Sequence, residues 1–235
     1  MVQKKSKPAA VKPQGAHRSR GRPRAYDAER ALAEARDAFW DTGYTGTSLD
    51  DLTAATGMNR PSLYGAFGDK QRLYLQTLER YREFGREAMR EALSYERPLE
   101  EALRAVFARA ISIYVVGSHG ARGCYLIGTA ATEAVHDTKI RSALAAGLHE
   151  LDDVLEGRLR HAIEHAELTT NIEPGALARV LCGVMNSLAL RARAGESRET
   201  LEATAEAALR LLFFDESRSR QENRGKSPGS QERCD

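Results

Sequence analysis

Apolar residues recur at steps of three and four positions from residue 27 to about residue 214, and no stretch alternates apolar and polar residues as a half-buried strand would. The longest apolar stripe is formed by Ile140, Leu144, Leu148, Leu151, Leu155, Leu159 and Ile163. This spacing places its members on one face of a single helix. The chain has 235 residues, enough to bury a substantial core. The pattern therefore predicts an all-α fold of about nine helices.

Glycine and capping residues divide the amino-terminal part of this pattern. A first helix is predicted from about 27 to 42, with Gly43 placed to end it. The residues Thr47 to Asp50 spell a capping box, which predicts a short second helix that ends near Thr56. Gly57 then begins a tight turn.

A third short helix is predicted between Asn59 and Gly68. Asn59 is a favourable cap, and Pro61 fits the first helical turn, where its missing N–H is harmless. Two short helices joined by a tight turn, packed on a third helix before them, have the layout of a helix-turn-helix. The sequence therefore predicts a DNA-binding unit in this region.

The third helix is predicted to have one inner and one outer side. At about 100° per residue, Leu63, Ala66 and Phe67 fall on the inner side. The outer side carries Arg60, Pro61, Ser62, Tyr64 and Gly65. Arg60 can donate two hydrogen bonds to a guanine edge, a contact worth about 1–3 kcal/mol of discrimination, and Ser62 can bond to several bases.

Three further residues suit the DNA backbone. Tyr64 and Thr47 can donate to phosphate oxygens, and Lys70 adds a charge at the start of the next helix. Two alternatives remain open at this point. The segment is either a small helical subdomain in which Tyr64 and Phe67 are core, or a helix-turn-helix used only for protein contacts.

Positive charge is concentrated at the amino end. Residues 1–24 hold eight of the 35 basic residues and no acidic one, so 27 basic residues remain against 33 acidic ones, a net charge of −6. This arm and the polar tail at 215–235 are predicted to be disordered, because neither can bury enough apolar surface. Arg20, Arg22 and Arg24 belong to RGRPR, which is similar to the core of AT-hook peptides and predicts a minor-groove contact. The alternative is a solubilising segment.

The stretch TSLDDLTAATGMNRPSLYGAFGDKQRLYLQTL resembles the DNA-binding region of the TetR family of bacterial transcriptional regulators. The resemblance covers about residues 24–78 and rests on TS at the start of the second helix and on five later residues at the family's spacing: Gly57, Tyr64, Phe67, Lys70 and Leu73. It implies phosphate contacts at Thr47, Tyr64 and Lys70. It also implies that Arg60, Pro61 and Ser62 read bases. Gly65 departs from the larger polar residue of many relatives, which predicts fewer base contacts.

The resemblance implies a domain order and a mode of action. The expected domains are a basic arm at 1–24, a three-helix helix-turn-helix DNA-binding domain at 25–70, a helical ligand-binding and dimerisation domain at 71–214 and the tail at 215–235. The expected function is a repressor that binds double-stranded palindromic DNA as a homodimer and is released by an unidentified small-molecule effector.

The last two helices are the expected dimer seam, since their apolar residues would form a four-helix bundle with a second copy. The candidate interface residues are Leu177, Leu181, Val184, Leu188, Leu209, Leu212 and Phe213. The alternative is that both helices are internal core.

The middle helices are expected to enclose the effector. The candidate lining residues are Phe107, Ile111, Tyr114, Tyr125 and Leu126, with His119 and His149 as polar partners. The alternative is that these aromatics are core.

Two motifs allow other chemistry. Cys124 follows Arg122 and Gly123 near a helix start, where a lowered thiol pKa would make it an oxidation sensor; the alternative is a buried, inert thiol. His161 to His165 spell HAIEH, the HxxEH pattern of inverted zinc metallopeptidases. Both histidines are predicted to point away from the apolar stripe, which favours a solvated face.

The remaining sequence indicates a cytoplasmic protein that is neither an enzyme nor bound to a cofactor. The three cysteines are odd in number and form no CxxC pair, which argues against a disulfide framework and a cysteine zinc site. No signal peptide is visible, and no apolar run is long enough to cross a membrane.

Overall fold

The computed structural model describes residues 27–117 and 120–213. Within these ranges the chain forms nine α-helices and no strand, which confirms the all-α prediction. The helices are α1 (Ala28–Gly46), α2 (Leu49–Thr56), α3 (Arg60–Phe67), α4 (Lys70–Ala92), α5 (Leu99–Tyr114), α6 (Tyr125–Glu133), α7 (Thr138–Glu164), α8 (Pro174–Arg193) and α9 (Arg198–Phe213). None of them is both long and apolar enough to cross a bilayer. The arm at 1–24 and the tail at 215–235 lie outside the described residues.

The first helix continues past its predicted end. The side chain of Asp27 caps α1 by accepting hydrogen bonds from the N–H groups of Glu29 and Arg30, at 3.1 and 3.2 Å. Gly43 has φ 77° and ψ 170°, a conformation that residues with a side chain rarely adopt, and it kinks the helix without ending it. The last turn of α1 then reaches Gly46.

The two short helices are closed by local caps. The capping box joins Ser48 and Asp51, one position later than predicted, and its side-chain bonds are 3.1 and 2.8 Å long. Gly57 ends α2 in the left-handed conformation, with φ 63°. The side chain of Asn59 accepts from the N–H of Ser62 at 2.9 Å and caps α3, as predicted. Gly57 and Asn59 thus define the two ends of the turn between α2 and α3.

Two apolar cores share the long helix α4. The head core packs α1, α2, α3 and the first half of α4 against α6 and the start of α7, and its members include Phe39, Leu52, Leu63, Phe67, Leu73, Leu78, Tyr125 and Ile140. The body core contains most of α5, α8 and α9 with the second halves of α4 and α7. α4 enters the head core through Leu73 and the body core through Met89. The helix-turn-helix is therefore packed directly on the body.

Candidate functional site

The third helix presents its outer side to solvent. Leu63 and Phe67 are buried in the head core, as predicted for the inner side. The exposed outer side carries four residues predicted to contact DNA: Arg60, Pro61, Ser62 and Tyr64. Tyr64 is 44% exposed, an unusual amount for an aromatic side chain in so short a helix. A Cβ at Gly65 would meet no atom within 4 Å, so this outer side is also open at its centre.

Arg60 has a partner that the sequence reasoning missed. Its Nη2 lies 2.7 Å from Oδ1 of Asp50, which belongs to the first turn of α2. Both side chains are exposed, so solvent screens the ion pair and it contributes little to stability. The pair holds the guanidinium of Arg60 at the open amino end of α3. The sequence contains this partner, but Asp50 was interpreted there as a member of the capping box of α2.

Lys70 lies at the junction of α4 and the last turn of α1. Its Nζ is 4.7 Å from the ring centroid of Tyr44, and burial lowers the pKa of this lysine. Asp69 caps α4 by accepting from the N–H of Arg72 at 2.7 Å. The charge is thus half-buried against an aromatic face beside a helix amino terminus, where backbone N–H groups favour anions.

The structure does not bring Thr47 to the DNA-facing surface. Its side chain is 1% exposed, and its hydroxyl lies 2.6 Å from the carbonyl oxygen of Gly43 and 2.7 Å from the hydroxyl of Thr42. The predicted phosphate contact through this hydroxyl is wrong for this conformation, because the hydroxyl is used to join the kinked end of α1 to α2. Arg20, Arg22 and Arg24 lie outside the described residues.

A cavity lies between α4, α5 and α7. The space between atoms there, its open mouth included, amounts to about 750 Å³. Its walls are mainly apolar and include Phe84, Met89, Ile113, Leu126, Leu151 and Met185. Arg82, Arg109 and Glu150 are the charged residues in its lining.

The predicted pocket residues are divided by the structure. Tyr114 and Leu126 line the cavity. Phe107 and Ile111 do not, because they lie on the side of α5 that packs against α9. Tyr125 is fully buried in the head core.

The two predicted polar partners are not in the described lining. His149 is exposed and lies outside the cavity. His119 lies outside the described residues. The sequence reasoning missed the contribution of α4, whose residues Tyr81, Phe84 and Met89 form one wall. In the sequence, this wall was indicated only by a second apolar face on α4.

An aromatic junction connects the cavity to α1. Tyr81, which lines the cavity, packs edge-on against Trp40 with ring centroids 5.3 Å apart. The guanidinium of Arg122 lies 4.5 Å from the centroid of Trp40, and the indole N–H donates to the carbonyl oxygen of Arg122 at 3.3 Å. Arg122 also pairs with Asp37 and Asp41 of α1, at 3.5 and 3.4 Å. This Trp40–Arg122 junction joins the segment before α6 to the DNA-binding helices.

Cys124 also lines the cavity, and its sulfur accepts a hydrogen bond from the hydroxyl of Tyr81 at 3.5 Å. Burial raises the pKa of the Cys124 thiol, and backbone N–H groups at the start of α6 offset only part of that rise. The expectation of a lowered pKa is wrong, because desolvation outweighs the helix terminus. The thiol form therefore predominates at neutral pH.

The HAIEH motif does not form a zinc site in the described residues. The rings of His161 and His165 stack with centroids 3.9 Å apart, and Nδ1 of His165 lies 2.8 Å from the carbonyl oxygen of His161. Within the described ranges no three His, Cys, Asp or Glu side chains are grouped so that they could hold a metal.

The seam residues of α8 and α9 fall into two groups. Leu177, Leu181, Leu188 and Leu209 are buried within the monomer, so they are core and cannot lose further area to a partner. The partly buried residues Val184, Leu212 and Phe213 pack at the edge of the body core. The same two helices expose Val180, Leu190 and Leu211, the last of them by 81%. The exposed members are the part of these two helices that a partner could still cover, and the dimer seam itself stays a prediction.

Two family models match the chain. One is described as "Bacterial regulatory proteins, tetR family" and matches residues 31–77. The other is described as "Tetracyclin repressor-like, C-terminal domain" and matches residues 100–208. The two matches correspond to the helix-turn-helix with the start of α4 and to the helices from α5 to α9.

Curated relatives and solved structures agree with these matches. The chain is 31% identical to the HTH-type transcriptional repressor ComR of Escherichia coli (strain K12) over 195 residues, 83% of this chain and 92% of ComR. It is 30% identical to the repressor BdcR of the same strain over 190 residues, 79% of this chain and 88% of BdcR.

Among solved structures, the regulator CifR in complex with 26bp double-strand operator DNA has 32% identity and a TM-score of 0.73, covering 80% of this chain and 98% of CifR. Reduced NemR of E. coli, at 24% identity and a TM-score of 0.69, shares the fold and covers 79% of this chain and 94% of NemR. The proteins of this group are DNA-binding regulators of transcription and are generally not enzymes. The chain belongs to the TetR family of bacterial transcriptional regulators.

Proposed function

We propose that this protein is a repressor that binds a palindromic operator as a homodimer, in the cytoplasm, and leaves it when a small molecule occupies the cavity. The observation that carries the proposal is the exposed amino end of α3, where Arg60 and Ser62 project from a helix fixed by its caps and by the head core. A helix with this support can enter a major groove with little loss of conformational freedom.

The proposed DNA contacts are of two kinds. Arg60, Pro61 and Ser62 meet base edges, and the ion pair with Asp50 orients the guanidinium before contact. Tyr64 and Lys70 meet phosphates, which fix the position of α3 without reading sequence. The arginines at 20, 22 and 24 are proposed to add minor-groove contacts, as their sequence predicts.

The proposed homodimer uses the outer faces of α8 and α9. Val180, Leu190 and Leu211 are exposed there beside Val184 and Phe213. Covering these side chains with a second copy would remove their apolar surface from water, and the dimer would supply one α3 helix for each half of a palindromic site.

The Trp40–Arg122 junction is the proposed path from the cavity to the DNA-binding helices. A ligand that displaces Tyr81 moves a ring in direct contact with Trp40 of α1. Because α1 packs on α2 and α4, a shift of Trp40 changes the placement of α3. Couplings of this kind are typically worth about 1–3 kcal/mol.

A mobility-shift titration on the protein's own upstream region tests the DNA-binding proposal. Arg60→Ala should weaken specific binding by about 1–3 kcal/mol per half-site, because it removes one base contact from each half of the operator. Arg30→Ala is the matched control, since Arg30 is also an exposed arginine of the DNA-binding helices, paired with Glu34 at 2.8 Å. Equal losses in both variants, or no binding by the folded parent, would contradict the proposal.

Thiol-based sensing through Cys124 is the weaker alternative. Its position in the cavity wall supports access by a small oxidant, whereas the raised pKa of the thiol opposes reaction. The balance favours reversible ligand binding.

A further inference from the structure

The charges in the cavity lining are unevenly paired. Arg82 Nε lies 3.3 Å from Oε2 of Glu150, and Nη1 of Arg86, just outside the lining, lies 3.5 Å from Oε1 of the same glutamate. Two arginines thus share one carboxylate. Arg109 takes part in no ion pair within the described part of the chain. Its guanidinium carbon lies 5.8 Å from the ring centroid of Phe84, which is itself 53% exposed.

The unpaired cation is at the solvent edge of the cavity. Arg109 is an exposed residue of α5, yet it belongs to the lining. The walls beyond it are apolar and include Met89, Ile113 and Leu151. Arg82 and Arg109 against Glu150 leave the lining with a net charge of +1 at neutral pH. An isolated cation is attractive to an anion and repels another cation, and its effect on a neutral molecule is small.

We infer that the cavity takes an amphipathic monocarboxylate, with an aromatic or alkyl body against the apolar walls and its carboxylate at Arg109. This inference rests on the proposed function, since it names the chemical class of the effector. The apolar body supplies most of the affinity through burial. The guanidinium of Arg109, held over Phe84, supplies the preference for a negative head group.

The test compares matched probes by isothermal titration calorimetry with the full-length protein. The probes are decanoate and 2-naphthoate, their neutral methyl esters, and decylamine as the cationic analogue. The parent protein should bind each carboxylate about fivefold more tightly than its ester, the factor that corresponds to a partly exposed ion pair. Decylamine should bind most weakly.

Two variants assign the preference to Arg109. Arg109→Gln should bind the esters as the parent does and lose the preference for the carboxylates. Arg160→Gln is the matched control, because Arg160 is an exposed arginine of α7 outside the lining, and it should keep the preference. Thermal unfolding of both variants checks that each is folded.

The inference is overturned if the esters or the amine bind as tightly as the carboxylates, if none of the probes binds, or if Arg109→Gln retains the preference. Operator binding without any probe is measured on the same samples. A parent that binds operator but prefers no carboxylate refutes the inference alone, whereas a parent that binds no operator refutes the proposed function.

Discussion

Replacement of Arg122 by alanine tests the junction between the cavity and the DNA-binding helices. The substitution removes a guanidinium that is 4.5 Å from the Trp40 centroid and 3.4 Å from Asp41, with 18% of the side chain exposed. The stacking contributes about 0.5–1 kcal/mol. The ion pairs of Arg122 with Asp37 and Asp41 are partly screened by solvent and contribute at most about 1 kcal/mol more. The hydrogen bond from the indole N–H is retained, because it goes to the backbone carbonyl of Arg122.

The summed loss of about 0.5–2 kcal/mol should lower the melting temperature by about 1–8 °C for a protein of this size. Circular dichroism at one fixed protein concentration measures it, since dimerisation makes the midpoint concentration-dependent. Trp40 is the only tryptophan in the chain, so its emission reports the same site and should shift to longer wavelength as solvent reaches the ring.

Arg36→Ala is the control for this substitution. Arg36 lies 5.9 Å from the same indole ring but belongs to α1, so it does not connect Trp40 to the segment before α6. Its loss should change the melting temperature and the emission much less. Equal effects of the two substitutions, or an unchanged emission maximum in Arg122→Ala, would refute the reasoning.

Three further outcomes follow from the site. Asn59→Ala should lower the free energy of unfolding by about 1 kcal/mol, because the N–H of Ser62 loses its capping acceptor. Asn59→Ser should retain most of the parent's stability, because serine is also a good cap. Urea denaturation distinguishes the variants, and identical midpoints in all three proteins would contradict the capping role of Asn59. Lys70→Ala should reduce the slope of log operator affinity against log salt by about 1.8, because the dimer loses one phosphate contact in each half-site; mobility shifts at several salt concentrations measure it, and an unchanged slope would remove Lys70 from the interface. Cys124→Ser should release operator DNA in peroxide to the same extent as the parent, because burial raises the pKa of the Cys124 thiol; release in the parent alone would establish the redox alternative.

The local features of the DNA-binding helices could be predicted from the sequence. Asn59, Pro61 and Gly57 act within one or two turns of chain, so residue type and spacing were sufficient to place them. The capping box was predicted one residue too early, because Thr47 and Ser48 are both good caps. The hydrogen bond of Thr47 to the carbonyl oxygen of Gly43, at the kinked end of α1, decides between them, and the kink was not predicted.

The cavity and the dimer face could be predicted only in part. α5 is apolar on more than one side, and the sequence does not reveal that Phe107 faces α9 while Tyr114 faces α4. An apolar residue in α8 is equally suited to a core and to an interface, so Leu181 and Val180 could be separated only by their burial in the folded monomer. Arg109 could not be identified as a site residue from the sequence, because the residues next to it in the chain do not show whether it has an acidic partner in the folded protein.

Random-site selection on duplex DNA tests the central claim that the amino end of α3 reads base pairs. The account predicts that the parent dimer enriches a two-fold symmetric site with half-sites roughly 10 bp, or a multiple of that, apart. Arg60→Ala should enrich a related site with discrimination lost at one position in each half. A folded dimeric parent that enriches no sequence, or an Arg60→Ala protein that selects the same site with equal discrimination, would contradict the account.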